Sequence, residues 1–145
     1  MNKAFVREPD TPPPQCSCGS RGLAVSSETL AAWLPGDEIS RYPGGAFYCP
    51  VPGCPVAYFD GWGNETPART LPPLTHPKNL RGPVCPCLGV TAAEVAEAAR
   101  SGSKDLILRV IQRARNPEAE CGRRSPDGRS CEAHVRRLFL ESRTG

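Results

Sequence analysis

Eight cysteines in a chain of 145 residues fall as four close pairs: Cys16 and Cys18 in "CSCG", Cys49 and Cys54 in "YCPVPGCP", Cys85 and Cys87 in "CPCLGVT", and Cys121 and Cys131 in "CGRRSPDGRSC". Two cysteines one residue apart are poor disulfide partners, because so small a ring strains the bridge away from its normal geometry. The opening "MNKAFVREPDTPPPQ" has no apolar block of the kind a signal peptide carries. No stretch approaches the roughly 20 apolar residues of a membrane helix. The expected location is therefore the cytoplasm, without membrane insertion. Thiols stay reduced there, so paired cysteines point to metal ligation rather than to bridges. The "NET" sequon at Asn64 is then inert.

The fold class expected is α+β, a small β-hairpin and helix unit followed by an α-helical unit. With 17 Pro and 14 Gly, much of the chain is loop and the core is modest. Seven of the nine aromatic residues lie between positions 33 and 62, so the front half packs around rings and the back half around aliphatics. Residues 1–15 read as a disordered leader. Within 16–63, "RGLAV" is a strand candidate, and "SSETLAAWL" is a helix with a serine cap that stops at Pro35-Gly36. "GGAFYC" and "VAYFD" are strands flanking the turn "PVPG". Residues 64–82, "NETPARTLPPLTHPKNLRG", are proline-rich and aperiodic, which marks a connector.

From 83 to 145 the pattern turns helical. Thr91 and Glu94 form a capping box, with Val90 and Val95 at the staple positions, so a helix runs from Ala92 to about Arg100 and ends at Gly102. Ser103 can cap a second helix with Leu106, Ile107, Val110, Ile111 and Ala114 on one face, stopped by Asn116-Pro117. Ser130 can cap a third with Cys131 as its first residue and a buried stripe of Val135, Leu138 and Phe139.

A four-thiolate site draws ligands from two places in a fold, and each half holds two pairs about thirty residues apart, so one site per half follows. In the front half the short loops around Cys16, Cys18, Cys49 and Cys54 resemble zinc knuckles, and four thiolates suit zinc. In the back half Cys85 and Cys87 precede one helix start and Cys131 opens another, where free N–H groups favour an anionic centre. A [2Fe-2S] cluster is such a centre, and cations near it raise its potential. Arg81, Arg123, Arg124 and Arg129 are close in sequence. Spacing alone leaves the cluster and a second zinc both open.

"CSCGSRGLAVSSETLAAWL", "FYCPVPGCPVAYFD", "GPVCPCLGVTAAEV" and "CGRRSPDGRSC" resemble the N-terminal domain of CopZ-type copper chaperones over about residues 14–141. The helical half is similar to bacterioferritin-associated ferredoxin. The resemblance implies one zinc at Cys16, Cys18, Cys49 and Cys54 and one [2Fe-2S] cluster at Cys85, Cys87, Cys121 and Cys131. The family archetype continues into a Met-x-Cys-x-x-Cys copper domain, a motif missing here, where the one methionine is Met1. A copper-binding domain is accordingly expected on a separate partner chain.

The functional expectation is a redox and metal-binding protein rather than an enzyme in the usual sense. It would pass single electrons in copper or other heavy-metal handling, with reduction of Cu(II) to Cu(I) as a related activity. Its expected partners are metal-transport or redox proteins. His76 and His134 are further candidate ligands, though four cysteines already fill each site. The rival is a two-zinc nucleic-acid module. Residues 78–145 carry 13 basic and 8 acidic groups, and Arg109, Arg113, Arg136 and Arg137 would then meet phosphates. No phosphate loop or nucleophile triad is visible, which leaves hydrolytic and kinase chemistry without support.

Overall fold

The computed structural model describes residues 14–144. The leader expected at 1–15 lies outside the described residues apart from its last two positions. The chain is α+β, an antiparallel sheet followed by a helical region.

Strands β1 (Leu23–Ala24), β2 (Phe47–Tyr48), β3 (Val56–Phe59) and β4 (Glu65–Pro67) form one antiparallel sheet in that order. Register pairs Phe47 with Phe59 and Tyr48 with Tyr58, bringing the two ring pairs to centroid distances of 5.9 and 5.5 Å. The Tyr48 and Tyr58 pair packs with Leu30, Leu34 and Leu74, while Phe59 packs with Val56, Cys16 and Cys49. Aromatic cross-strand pairs thus give a four-stranded sheet of very short strands its core, and they place two cysteines against it.

Helix α1 (Ser27–Trp33) starts where the Ser26 hydroxyl accepts a hydrogen bond from the Thr29 N–H at 3.2 Å. It ends at Leu34 before Pro35, and a single turn, α2 (Gly36–Ile39), follows where the sequence reading placed a stop.

The connector expected at 64–82 is corrected. Residues 65–67 supply the fourth strand, a short 3-10 turn (Ala68–Thr70) follows, and Leu74 and Lys78 are both buried. Three paired residues ending in a proline are too few to show period-two alternation, which is why the strand escaped the sequence pattern.

In the back half β5 (Pro83–Cys85) and β6 (Val90–Thr91) form a small ribbon, followed by α3 (Ala92–Ser101), α4 (Asp105–Arg115), α5 (Cys121–Arg124) and α6 (Glu132–Thr144). The Thr91 and Glu94 capping box and the left-handed Gly102 cap are as expected. The second helix starts at Asp105, two residues after Ser103, whose hydroxyl accepts from the Asp105 N–H at 3.4 Å. Cys131 caps the last helix rather than opening it, since its carbonyl accepts from the Val135 N–H at 2.9 Å. Val95, Val110 and Val135 are fully buried at the centre of this core, with Ile107 and Phe139 beside them.

The halves interlock. The buried Thr29 hydroxyl of α1 donates to the Gly122 carbonyl, and the Tyr58 hydroxyl of β3 donates to the Pro126 carbonyl. Gly128 has φ +75°, and a Cβ there would lie 2.5 Å from the Thr29 hydroxyl. The loop carrying Cys121 and Cys131 therefore rests on the front half.

Candidate metal centres

The front cysteines sit on two tight turns. Cys16 accepts at its carbonyl from the Gly19 N–H at 2.8 Å and donates its own N–H to Ser20, which folds Cys16 and Cys18 onto one side. Cys49 follows β2 and Cys54 precedes β3. The bond from the Cys49 N–H to the Ala57 carbonyl, at 2.8 Å, extends the ladder to the first of them. Gly53 takes φ +85° at the turn between them, a backbone conformation in which glycine is unstrained.

These turns bring all four sulfurs within 4.8 Å of one another. Cys16 Sγ lies 3.7 Å from Cys54 Sγ, and Cys18 Sγ lies 3.7 Å from Cys49 Sγ. A disulfide is about 2.05 Å, so both pairs are far from bonded. Around one ion with metal–sulfur bonds of about 2.3 Å, a tetrahedron has edges of about 3.8 Å. The sulfur spacing fits that figure. No other group of three or more His, Cys, Asp or Glu ligand atoms among the described residues converges as closely.

Charge at the front site is divided. The Ser20 backbone N–H, helped by neighbouring thiols, pulls the exposed Cys18 thiol down to about 7. Burial pushes Cys16 up and Cys49 up to about 12, although backbone N–H groups of Cys18 and Val51 work against it. Burial thus resists ionising Cys16 and Cys49, and a cation at the centre of the site would supply the charge that offsets it.

The back cysteines come from a ribbon turn and two helix starts. Buried Cys85 ends β5, Cys87 lies in the turn, Cys121 opens α5 and Cys131 caps α6. A hydrogen bond from Cys131 pulls the Cys85 thiol down to about 6, with the backbone N–H groups of Leu88 and Cys87 and the charge of Arg113 acting the same way. The same bond, followed by burial, pushes Cys131 up. Burial pushes Cys121 up, and the charges of Cys87 and Cys85 add to it. Neighbouring thiols thus act on Cys85, Cys121 and Cys131, and of these three Cys85 is the one held toward its thiolate.

His76 and His134 meet each other rather than either group of cysteines. His76 Nδ1 lies 2.9 Å from His134 Nε2, and Arg137 Nη2 lies 2.9 Å from His134 Nδ1. Arginine can only donate, so His134 Nδ1 accepts and its Nε2–H donates to His76 Nδ1. That chain requires both imidazoles neutral. Burial pushes both below the usual histidine range, and the charges of His76 and Arg137 add to the effect at His134.

The arginines chosen by sequence proximity are engaged elsewhere. Arg123 and Arg124 pair with Glu120, and Arg129 donates to the Asp127 carbonyl at 3.3 Å. Arg81 is exposed. Sequence reasoning assigned Arg113 to phosphate contact, whereas its charge acts on Cys85 from α4. It also missed Lys78, whose ammonium donates to the carbonyls of Val51, Cys54 and Val56 at 3.1, 2.8 and 2.6 Å. A lone lysine in a proline-rich stretch carries no signal of that role.

Among solved structures, the X-ray structure of the Archaeoglobus fulgidus CopZ N-terminal domain matches with a TM-score of 0.67 and 26% identity, over 86% of this chain and 96% of that one. No protein-family model matches the sequence, and the search of curated proteins found no match. The likeness read from the four cysteine pairs is thereby borne out. The chain is a metal-binding protein resembling the CopZ N-terminal domain, with a four-cysteine site. No described helix is long and apolar enough to cross a membrane.

Proposed function

We propose that the chain is an iron–sulfur and zinc protein that moves single electrons in the handling of copper or another heavy metal. The observation that carries this reading is the arrangement of the eight free cysteines in a CopZ-like fold. Four stand at single-ion spacing in the sheet half, and four stand at a ribbon turn and helix starts in the other half. On this reading Cys16, Cys18, Cys49 and Cys54 hold zinc, whose preference for four thiolates at tetrahedral corners matches the sulfur spacing. Cys85, Cys87, Cys121 and Cys131 hold a [2Fe-2S] cluster. Such a cluster supplies one-electron chemistry, enough to take Cu(II) to Cu(I).

The surrounding residues suit an electron-accepting centre. Backbone N–H groups of Cys87 and Leu88 reach the Cys85 sulfur, the Arg113 charge favours its thiolate, and Cys131 stands at the start of α6. Each of these stabilises added negative charge. With all eight thiols assigned, copper is substrate rather than resident, and the reduced ion passes to a separate chaperone domain or transport protein in the cytoplasm. The nucleic-acid reading loses ground because Arg136 pairs with Glu132 and Arg137 is spent on His134.

Metal analysis of anaerobically purified protein tests the proposal. The expected result is coloured protein with about two irons per zinc, which after reduction converts Cu(II) to Cu(I) as read by a Cu(I)-specific chelator. Colourless protein holding only zinc would sink it.

A further inference from the structure

Lys78 is a buried ammonium, 8% exposed, and its three N–H bonds all go to backbone carbonyls between residues 51 and 56. That segment contains Cys54 and leads from Cys49, so the cation sits under the hairpin that presents half of the front site. No carboxylate among the described residues pairs with it. Carbonyl dipoles offset part of the cost of burying a charge, but a buried ammonium with no negative partner remains unfavourable. Among its three partners is Cys54, a member of the four-cysteine site, whose carbonyl lies 2.8 Å from the ammonium.

Resting on the zinc reading above, we propose that Lys78 is the internal counter-charge of the four-cysteine site, a positioning residue that sets how tightly the site holds its metal. Four thiolates around one divalent ion carry a net charge of about −2, in a site where two of the sulfurs belong to buried cysteines. One fixed positive charge beside Cys54 stabilises the loaded state more than the empty, protonated one. The same three hydrogen bonds fix the carbonyls of residues 51–56, so the charge is delivered at a set distance from the ligand turn. Carboxylates are the usual partners of a buried lysine, and here the metal–thiolate centre takes that place.

The test compares the full-length, metal-loaded wild-type protein with Lys78→Met and Lys78→Arg. Zinc content of the wild type is measured first, and its absence from the front site would overturn the zinc reading together with this one. With zinc present, release to a pyridylazo-resorcinol chelator is followed. Lys78→Met is expected to lose zinc about 10- to 100-fold more readily, the range for partners just outside a metal's ligands, whereas Lys78→Arg stays close to wild type. Loaded with Co(II), Lys78→Met should keep the absorption bands of a tetrahedral tetrathiolate, which a merely collapsed turn would not. Equal zinc retention by Lys78→Met and wild type overturns the proposal. Equal loss by Lys78→Met and Lys78→Arg overturns it too, because the charge would then be irrelevant. If Lys78→Met does not fold, Lys78→Arg alone decides, with wild-type-like retention supporting the proposal and tenfold loss defeating it.

Discussion

In the sheet half, both cysteine turns are fixed by bonds made within that half: Cys16 to Ser20, Cys49 to Ala57, and Lys78 across residues 51–56. In the helical half, the loop bearing Cys121 and Cys131 leans on Thr29 and Tyr58, which belong to the sheet half. The front site is thus self-supporting, and the back site borrows its scaffold. A dependence running in one direction follows, with damage at the front reaching the back and damage at the back staying local. The sequence had suggested two separable modules, each with its own metal.

The largest expected effect tests that direction. Structural zinc contributes about 10–16 kcal/mol to the folding of small zinc peptides, comparable to the whole stability of a domain. Cys49→Ser should therefore unfold the sheet half and, through the loss of Thr29 and Tyr58 support, release iron as well. Cys85→Ser should release iron while zinc stays. Metal content of both variants after gel filtration decides the matter, and full iron in zinc-free Cys49→Ser would break the comparison.

A gentler probe leaves both ligand sets intact. Tyr58→Phe removes the hydroxyl that donates to the Pro126 carbonyl and leaves a buried acceptor unpaired, a loss of about 1–3 kcal/mol. Iron release should quicken in the variant while zinc retention stays at the wild-type level. Equal quickening at both sites would show that Tyr58 supports the sheet half generally.

Acid acts on a second link between the halves. His76 and His134 are held neutral, below the unfolded value of about 6.5, so they favour the fold above that pH. Their contribution is lost as pH falls from about 6.5 through their lower folded values. The wild-type melting temperature should fall more between about pH 7.5 and pH 5.5 than that of a His76→Gln, His134→Gln double variant, measured at matched metal content. Parallel falls would remove the pair from the account.

The smallest effect concerns Arg113, half-buried on α4. Arg113→Gln should lower the reduction potential of the back site by tens of millivolts at most, because solvent and salt weaken a partly exposed charge. Arg123→Gln, whose partner is Glu120, should leave the potential unchanged, and the pair of titrations sharpens which cations reach the site.

Period and punctuation made several features legible without coordinates. The Thr91 and Glu94 capping box, the Gly102 stop and the aromatic hairpin all depend on residues a few positions apart, and local rules act at that range. Strand β4 was lost because three residues carry no period, and Cys131 was displaced by one position because helix ends depend on which carbonyl finds a partner. Lys78, the Arg137–His134–His76 chain, and the seating of the Cys121 loop on Thr29 and Tyr58 were decided by the tertiary structure alone. Each joins residues between 22 and 93 positions apart, apart from the single helical turn between His134 and Arg137. A buried charge or hydroxyl takes whichever partner the packed core brings within hydrogen-bond reach, and composition and spacing do not encode that choice.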